Sequence, residues 1–234
     1  MQFVKCLEAI GGHPHRVVPV VQCLLAILGS QSVGVATEDG NAARQQAATT
    51  VTVMASREEA AKALCQHLNP LLEQIQEMWK RGSIRPGERN ALYEAVLIVS
   101  ATANAASLEH QQKTLEWIWT ETCQRWSDPA WFERTLTDAL SLLRSTGIKS
   151  CACLSNDVSF DAAKAGKERL HMYHAVQLIE RLPRRLLQLK RKKGSNAFLA
   201  IVPHLKWTIP VVVRLLRCIH YLASPEGRKL LGVC

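Results

Sequence analysis

The sequence predicts an all-α fold of successive antiparallel helix hairpins, and three observations carry that prediction. Apolar residues recur at helical spacing along nearly the whole chain, so one helical face after another must be buried against a neighbour. Glycine, proline and capping residues punctuate the chain at intervals of about one helix. Most connectors between the predicted helices are only a few residues long, which sets consecutive helices antiparallel.

The clearest helix lies in PHLKWTIPVVVRLLRCIHYLASP, from Pro203 to Pro225. Thr208, Val212, Leu215, Leu216, Ile219 and Ala223 are expected to form its packed face, with Pro210, Arg214, Arg217 and Tyr221 opposite. Lys206, Arg214 and Arg217 argue for packing on protein and against membrane insertion, since a charge at the bilayer centre costs about 2.5–3.5 kcal/mol.

In chain order, a helix is expected over about residues 2–10 and a second over 14–29, closed by Gly29. Ser30 to Thr50, rich in Gly, Ala, Thr and Gln around Glu38, Asp39 and Gly40, reads as an inserted loop at about 30–50. The β-branched run Thr49 to Val53 could form a short strand, but a lone strand would leave its backbone unpaired, so a loop or helix start is preferred. Ser56 is expected to cap a long helix, with Glu58 and Glu59 in its first turn, running to about Arg81 and interrupted near Pro70. Its core face is Leu64, His67, Leu68, Leu71, Leu72, Ile75 and Met78.

A turn over Arg81 to Gly87 precedes a helix carrying Leu92, Ala95, Val96, Val99 and Ala103. Ser107 caps the next, with Leu108, Leu115, Ile118, Trp119, Thr122 and Trp126 broadly on one side, and the two form a hairpin. Asp128 then Pro129 is a strong helix start, followed by the stripe Phe132, Leu136, Ala139, Leu140 and Leu143 up to Gly147. Ile148 to Phe160 reads as a loop. Met172, Ala175, Val176, Ile179 and Leu182 mark a further helix that Pro183 kinks or ends, and Pro225 opens a short last helix stopping near Gly232. The hairpins recur about every 40 residues, the period of HEAT or armadillo units, so the chain reads as a single stretch, 1–234, of a HEAT/armadillo-like helical superhelix. No strict sequence repeat is visible, and a compact bundle is the competing arrangement of the same hairpins.

At 234 residues and 47% hydrophobic, the chain has the apolar surface for a sizeable core. The first residues lack a signal-peptide pattern, since Gln2 to Ile10 is short and carries Lys5 and Glu8. The eight cysteines are scattered through helical pattern, as in a reduced intracellular protein. Both ends enter or leave helices abruptly, with no polar capping repeat, which suggests a piece of a larger protein.

The run RNALYEAVLIVSATAN (Arg89 to Asn104), then QQKTLEWIWTETCQRWSDPAWFERTLTD (Gln111 to Asp138) and HLKWTIPVVVRLLRCIHYLASP (His204 to Pro225), resembles in order and spacing the middle of the HASTY/exportin-5 group of nuclear export receptors. The resemblance covers about residues 60 to 228. It implies a karyopherin-β receptor, a HEAT superhelix that shuttles between nucleus and cytoplasm and engages nuclear pore proteins. Such a receptor binds Ran-GTP together with cargo, here double-stranded or hairpin RNA such as small-RNA precursors, with tRNA and some proteins also implied. Ran contacts in such receptors lie largely in amino-terminal repeats, outside the matched stretch, so this piece is not expected to run the transport cycle alone.

Charge locates the candidate cargo site. The chain carries a net charge of +9, but seven of its 29 basic residues are Arg181, Arg184, Arg185, Lys190, Arg191, Lys192 and Lys193, with no acid among them. Removing those seven leaves 22 basic against 20 acidic residues elsewhere. A concentrated basic run suits a polyanion, and helical RNA is read mostly through phosphates and 2′-hydroxyls. Arg184 and Arg185 are expected to fork onto phosphate oxygens and Lys190 to Lys193 to act as point charges on a mobile loop. A solvated linker and a nuclear localisation patch are the alternative readings of the same run. Lys206, Arg214 and Arg217 on the polar stripe of the last long helix form a second candidate set, and Gln111, Gln112 and Lys113 open a helix whose amides could meet a phosphate.

Catalytic readings find no support. Cys151, Cys153, His171 and His174 do not match a common zinc spacing, and no phosphate-cradling glycine motif, G-x-S-x-G or H-E-x-x-H is present. Glu94, Glu109 and Asp138 read as solvated carboxylates, and the tryptophans as core. No metal, cofactor or enzymatic activity is expected; the competing function is a HEAT scaffold or import receptor that binds protein and no RNA.

Overall fold

The computed structural model describes residues 2–10, 13–30, 38–102, 108–148, 161–193 and 197–231. Among them there is no strand. The α-helices are α1 (Gln2–Ile10), α2 (Val17–Gly29), α3 (Glu38–Ala55), α4 (Glu58–Cys65), α5 (Leu68–Lys80), α6 (Pro86–Thr102), α7 (Leu108–Trp126), α8 (Pro129–Leu136), α9 (Ala139–Thr146), α10 (Ala162–Lys193), α11 (Leu205–Ala223) and α12 (Pro225–Leu230). Short 3-10 segments cover Pro14–Arg16 and Ala197–His204. The helical character expected from periodicity is therefore observed among the described residues. The chain forms two compact units, one of Met1–Ile118 with Gln177–Ala200 and one of Trp119–Val176 with Ile201–Cys234.

In the first unit, α6 is the central helix and packs on α3, α4 and α5. It is buried on nearly every side, from Glu88 through Ser100. Its principal partner α3 overturns the expected inserted loop. Arg44, Ala47, Ala48, Val51, Met54 and Ala55 are all buried, at the three- and four-residue spacing of a core-facing helix. Alanine is the best helix former, and its small size brings the two backbones close enough for the Thr52 hydroxyl to donate to the Ala91 carbonyl at 2.9 Å. The composition that suggested a loop, rich in Ala, Thr and Gln, places its alanines at a tight helix interface. Residues 31–37 of that expected loop lie outside the described residues.

An ion pair fastens the same unit. The Arg44 Nε and Nη2 groups donate to the two Glu88 carboxylate oxygens at 2.9 and 2.8 Å, and both side chains are almost fully buried. Nη2 also reaches the Ser83 carbonyl at 2.6 Å and Nη1 the Ser30 carbonyl at 3.3 Å, while Glu88 accepts the Arg85 backbone N–H at 2.8 Å. Two turns are thereby tied to α3 and α6. Nearby, the Arg89 guanidinium lies 3.6 Å from the Trp79 ring centroid.

Other boundaries shift for local reasons. Ser56 donates to the Thr52 carbonyl at 2.9 Å and so closes α3; Arg57 is the N-cap of α4. The long helix to Arg81 breaks at Gln66 and His67, which leaves His67 exposed and places Pro70 in the first turn of α5. The α6–α7 connector, including Ala103 and Ser107, lies outside the described residues; the two helices meet edge to face at Tyr93 and Trp117, 5.4 Å apart.

The second unit has an aromatic core. Trp119, Trp126, Trp131 and Trp207 are buried, with Trp126 stacked on Trp131 at 6.2 Å and Trp119 and Trp126 meeting Trp207 edge to face. His204 sits 4.8 Å from the Trp119 centroid and accepts from the Trp207 indole N–H at 3.3 Å. Glu168 binds both the Trp131 indole and Arg125, each at 2.7 Å, which fixes α7 and α8 to α10. Asp128 caps α8 as expected, accepting from the Ala130 N–H at 3.0 Å.

The helix expected to run on to Gly147 is instead two, because Asp138 accepts the Ser141 N–H at 2.7 Å and starts α9 afresh. Gly147, at φ 62°, closes α9 in the left-handed region that glycine favours. Pro183 does not end α10, which continues through it to Lys193. The expected loop at 149–160, with Cys151 and Cys153, lies outside the described residues.

The largest correction concerns α11. Thr208 is buried as expected, together with Trp207, Val211 and Cys218, whereas Leu216 and Ile219, expected in the core, are 59% and 50% exposed. The packed side is the one carrying Arg214, whose guanidinium donates to the Leu136 carbonyl at 2.8 Å and to the Thr137 carbonyl. Backbone acceptors at the α8–α9 break let an arginine sit at the edge of a packed face. Phe198–Ala223 is long and apolar enough by composition to cross a membrane. Arg214, Trp207 and Cys218 tie this helix to protein instead, and α11 packs on α8, α9 and α12.

Candidate nucleic-acid interface

The basic run expected at 181–193 is helical to Lys193 and so is not the mobile loop that its composition suggested. A continuous helix also distributes the charges. At about 3.6 residues per turn, positions 181 and 190 fall on opposite sides of the axis. Arg181, Arg184 and Arg185 share one side, at the three- and four-residue spacing of a helix face.

Those three arginines differ in availability. Arg185 is a strut: its Nε and Nη2 donate to one Glu94 oxygen at 2.7 and 2.6 Å, and Nη1 to Gln188 at 3.1 Å. Glu94, read from the sequence as a solvated carboxylate, is thus the point where α6 holds α10. Removing Arg185 to a phosphate would leave a largely buried carboxylate unpaired. Arg184 pairs with Glu180 at 3.1 Å, but both side chains are at least half exposed. Such a pair is worth only about 0.3–0.5 kcal/mol, so a phosphate can displace it. Arg181 is exposed and has no ion pair among the described residues.

Lys190, Arg191, Lys192 and Lys193 occupy the last turn of α10, where the helix dipole favours positive charge. In the second unit, Arg214 is committed to the Leu136 and Thr137 carbonyls, while Lys206 and Arg217 are exposed without an ion pair among the described residues.

The amides opening α7 do not form an anion site. Glu109 occupies the first turn and pairs with Lys113 at 2.8 Å; hydrogen bonding within that pair lowers the Glu109 pKa and raises that of Lys113. A phosphate would meet a carboxylate there. His171 lies 3.1 Å from Glu121, and no group of three or more His, Cys, Asp or Glu among the described residues is placed to hold a metal.

What sequence reading missed is the buried Arg44–Glu88 pair and the Glu94 anchor. Both partners lie far apart in sequence, 44 and 91 residues, so no local pattern marks them.

Exportin-5, described as the Exportin-5 family, is the family whose model matches residues 3–233. The chain belongs to the Exportin-5 family. Protein HASTY 1 of Arabidopsis thaliana is 29% identical over 198 residues, which is 82% of this chain and 14% of that protein. This Exportin-5 family chain therefore spans about a seventh of that relative's length. No solved structure matches it. Its all-helical fold is the HEAT-like arrangement of such receptors.

Proposed function

We propose that the chain is a segment of a nuclear export receptor that shuttles between nucleus and cytoplasm and contributes to binding structured RNA cargo in a Ran-GTP-dependent cycle. Family membership supports the receptor reading, and one observation favours RNA: a basic run carried on a helix and ending in four consecutive cations, in which Arg181 is exposed without an ion pair among the described residues and Arg184 holds only an exposed one. Contact with Ran-GTP and with nuclear pore proteins belongs to the whole receptor.

The mechanism is electrostatic. Arg181, Arg184 and the cations Lys190 to Lys193 hold phosphates along the RNA backbone, and base identity plays little part because the deep groove of A-form RNA is closed to side chains. Arg185 acts indirectly, by holding α10 in place. Lys206 and Arg217 border an aliphatic surface that RNA has no means to cover, so RNA binding rests on α10. No step requires a catalytic group.

Equilibrium binding of a labelled hairpin RNA and a single strand of equal length tests this. The hairpin should bind saturably and more tightly, with little dependence on its sequence. Reversing Arg181, Arg184 and Lys190 to Lys193 to glutamate should abolish binding while helicity is retained. No saturable binding, or unchanged affinity in the reversed variant, contradicts the RNA reading and leaves a protein-binding scaffold.

A further inference from the structure

We propose that the outward side of α11 is a docking groove for an amphipathic helix of a partner protein, one whose apolar stripe is edged with Asp or Glu.

Leu205, Ile209, Val213 and Leu216 are 40–59% exposed and follow one another at four, four and three residues. That spacing is a core-type stripe rather than scattered surface residues. The other side of α11 is already packed through Trp207, Val211 and Cys218, so the helix is apolar on two sides, and the described residues cover only one of them.

The stripe borders a groove. A recess of about 420 Å³ formed with the α8–α9 break and another of about 530 Å³ formed with the start of α12 share Arg217 and Tyr221. The second includes Val213 and Leu216 of the stripe itself. Helix-in-groove recognition takes anchors at this repeat.

Charge selects the occupant. Residues 205–230 hold five Lys or Arg against the single acid Glu226. Lys206 and Arg217 lie on the same edge of the stripe, eleven positions or about three turns apart. Two cations without an ion pair among the described residues, beside an aliphatic row, complement a helix with carboxylates along one border. RNA would leave the row uncovered, and a recess walled by α12 gives a bilayer only its rim.

The test uses the whole 234-residue chain and a fluorescein-labelled designed helix of about 20 residues, with Leu at i, i+4, i+7 and i+11 and Glu along one edge. A second peptide replaces each Glu by Lys. By anisotropy, the Glu peptide should bind saturably and at least about tenfold more tightly than the Lys peptide at low salt. The double variant Lys206→Glu and Arg217→Glu should invert that preference, an outcome that misfolding cannot produce. Leu216→Ser with Ile209→Ser should weaken both peptides with helicity unchanged. Equal affinity for the two peptides, or no saturable binding, overturns the proposal. So does displacement by hairpin RNA or by phosphatidylserine vesicles, or self-association of the chain that the serine variant abolishes.

Discussion

Gly227 lies where α12 turns back on α11, and a Cβ there would overlap the Tyr221 carbonyl oxygen and come within 2.5 Å of the Leu222 Cα. Backbone atoms cannot yield as a side-chain tip can, so Gly227→Ala should cost about 1–3 kcal/mol in urea unfolding, with Leu231 released from Leu143. Asp138 acts at the same scale. The Ser141 N–H holds its carboxyl below the usual range. A depressed folded-state pKa contributes stability above the unfolded value, and that contribution disappears as pH falls through the folded one. Asp138→Ala should therefore lose about 1 kcal/mol at neutral pH, and Asp138→Asn, which keeps an acceptor, much less. The difference between wild type and Asp138→Ala should shrink in strong acid, as followed by tryptophan fluorescence. For the buried pair, Arg44→Ala or Glu88→Ala alone should cost about 3–5 kcal/mol, and the double change to apolar residues less than the two losses combined. Asp128 and Gly147 were legible from the sequence, because a cap and a left-handed closure are local chemistry. Arg44, Glu88 and Glu94 were not, since each acts on a residue remote along the chain.

Among the elements, those with strong local punctuation were readable and those defined by packing were not. The spans of α1, α6 and α12 follow from apolar spacing, proline and glycine. Helix α3 was hidden because a stretch rich in Gly, Ala, Thr and Gln reads as a loop, while Ala47, Ala48 and Ala55 bury by smallness at a tight helix interface. The packed face of α11 is rotated from the one the sequence suggested, keeping Thr208 inside and Arg217 and Tyr221 outside, for a related reason: an arginine normally marks the solvent side, but Arg214 finds two backbone carbonyls where α8 gives way to α9. Helix α10 supplies a prediction that separates support from contact. Arg185→Ala should lower stability by about 1–3 kcal/mol through the stranded Glu94 carboxylate, whereas Arg181→Glu should leave stability within about 0.5 kcal/mol and weaken hairpin RNA.

At the scale of the whole molecule, a net charge of +9 is concentrated in one helical run and in the α11–α12 segment, while the remaining surface is nearly balanced. Two compact units, each with its own buried helix set, present those basic stretches on helices and not on loops. Composition revealed where the charge lies along the chain, and resemblance indicated the family that residues 3–233 bear out. That Arg185 and Arg214 are engaged while Arg181 is exposed became visible only with their partners in place. If α10 holds RNA through about five phosphates, the affinity should fall with a slope of about −4 in log K against log salt. The most direct measurement is the hairpin RNA dissociation constant of the full chain across salt concentrations. A linear fall near that slope, flattened in the variant with Arg181, Arg184 and Lys190 to Lys193 reversed, is the predicted result; a salt-independent affinity, or one identical in the variant, would contradict it.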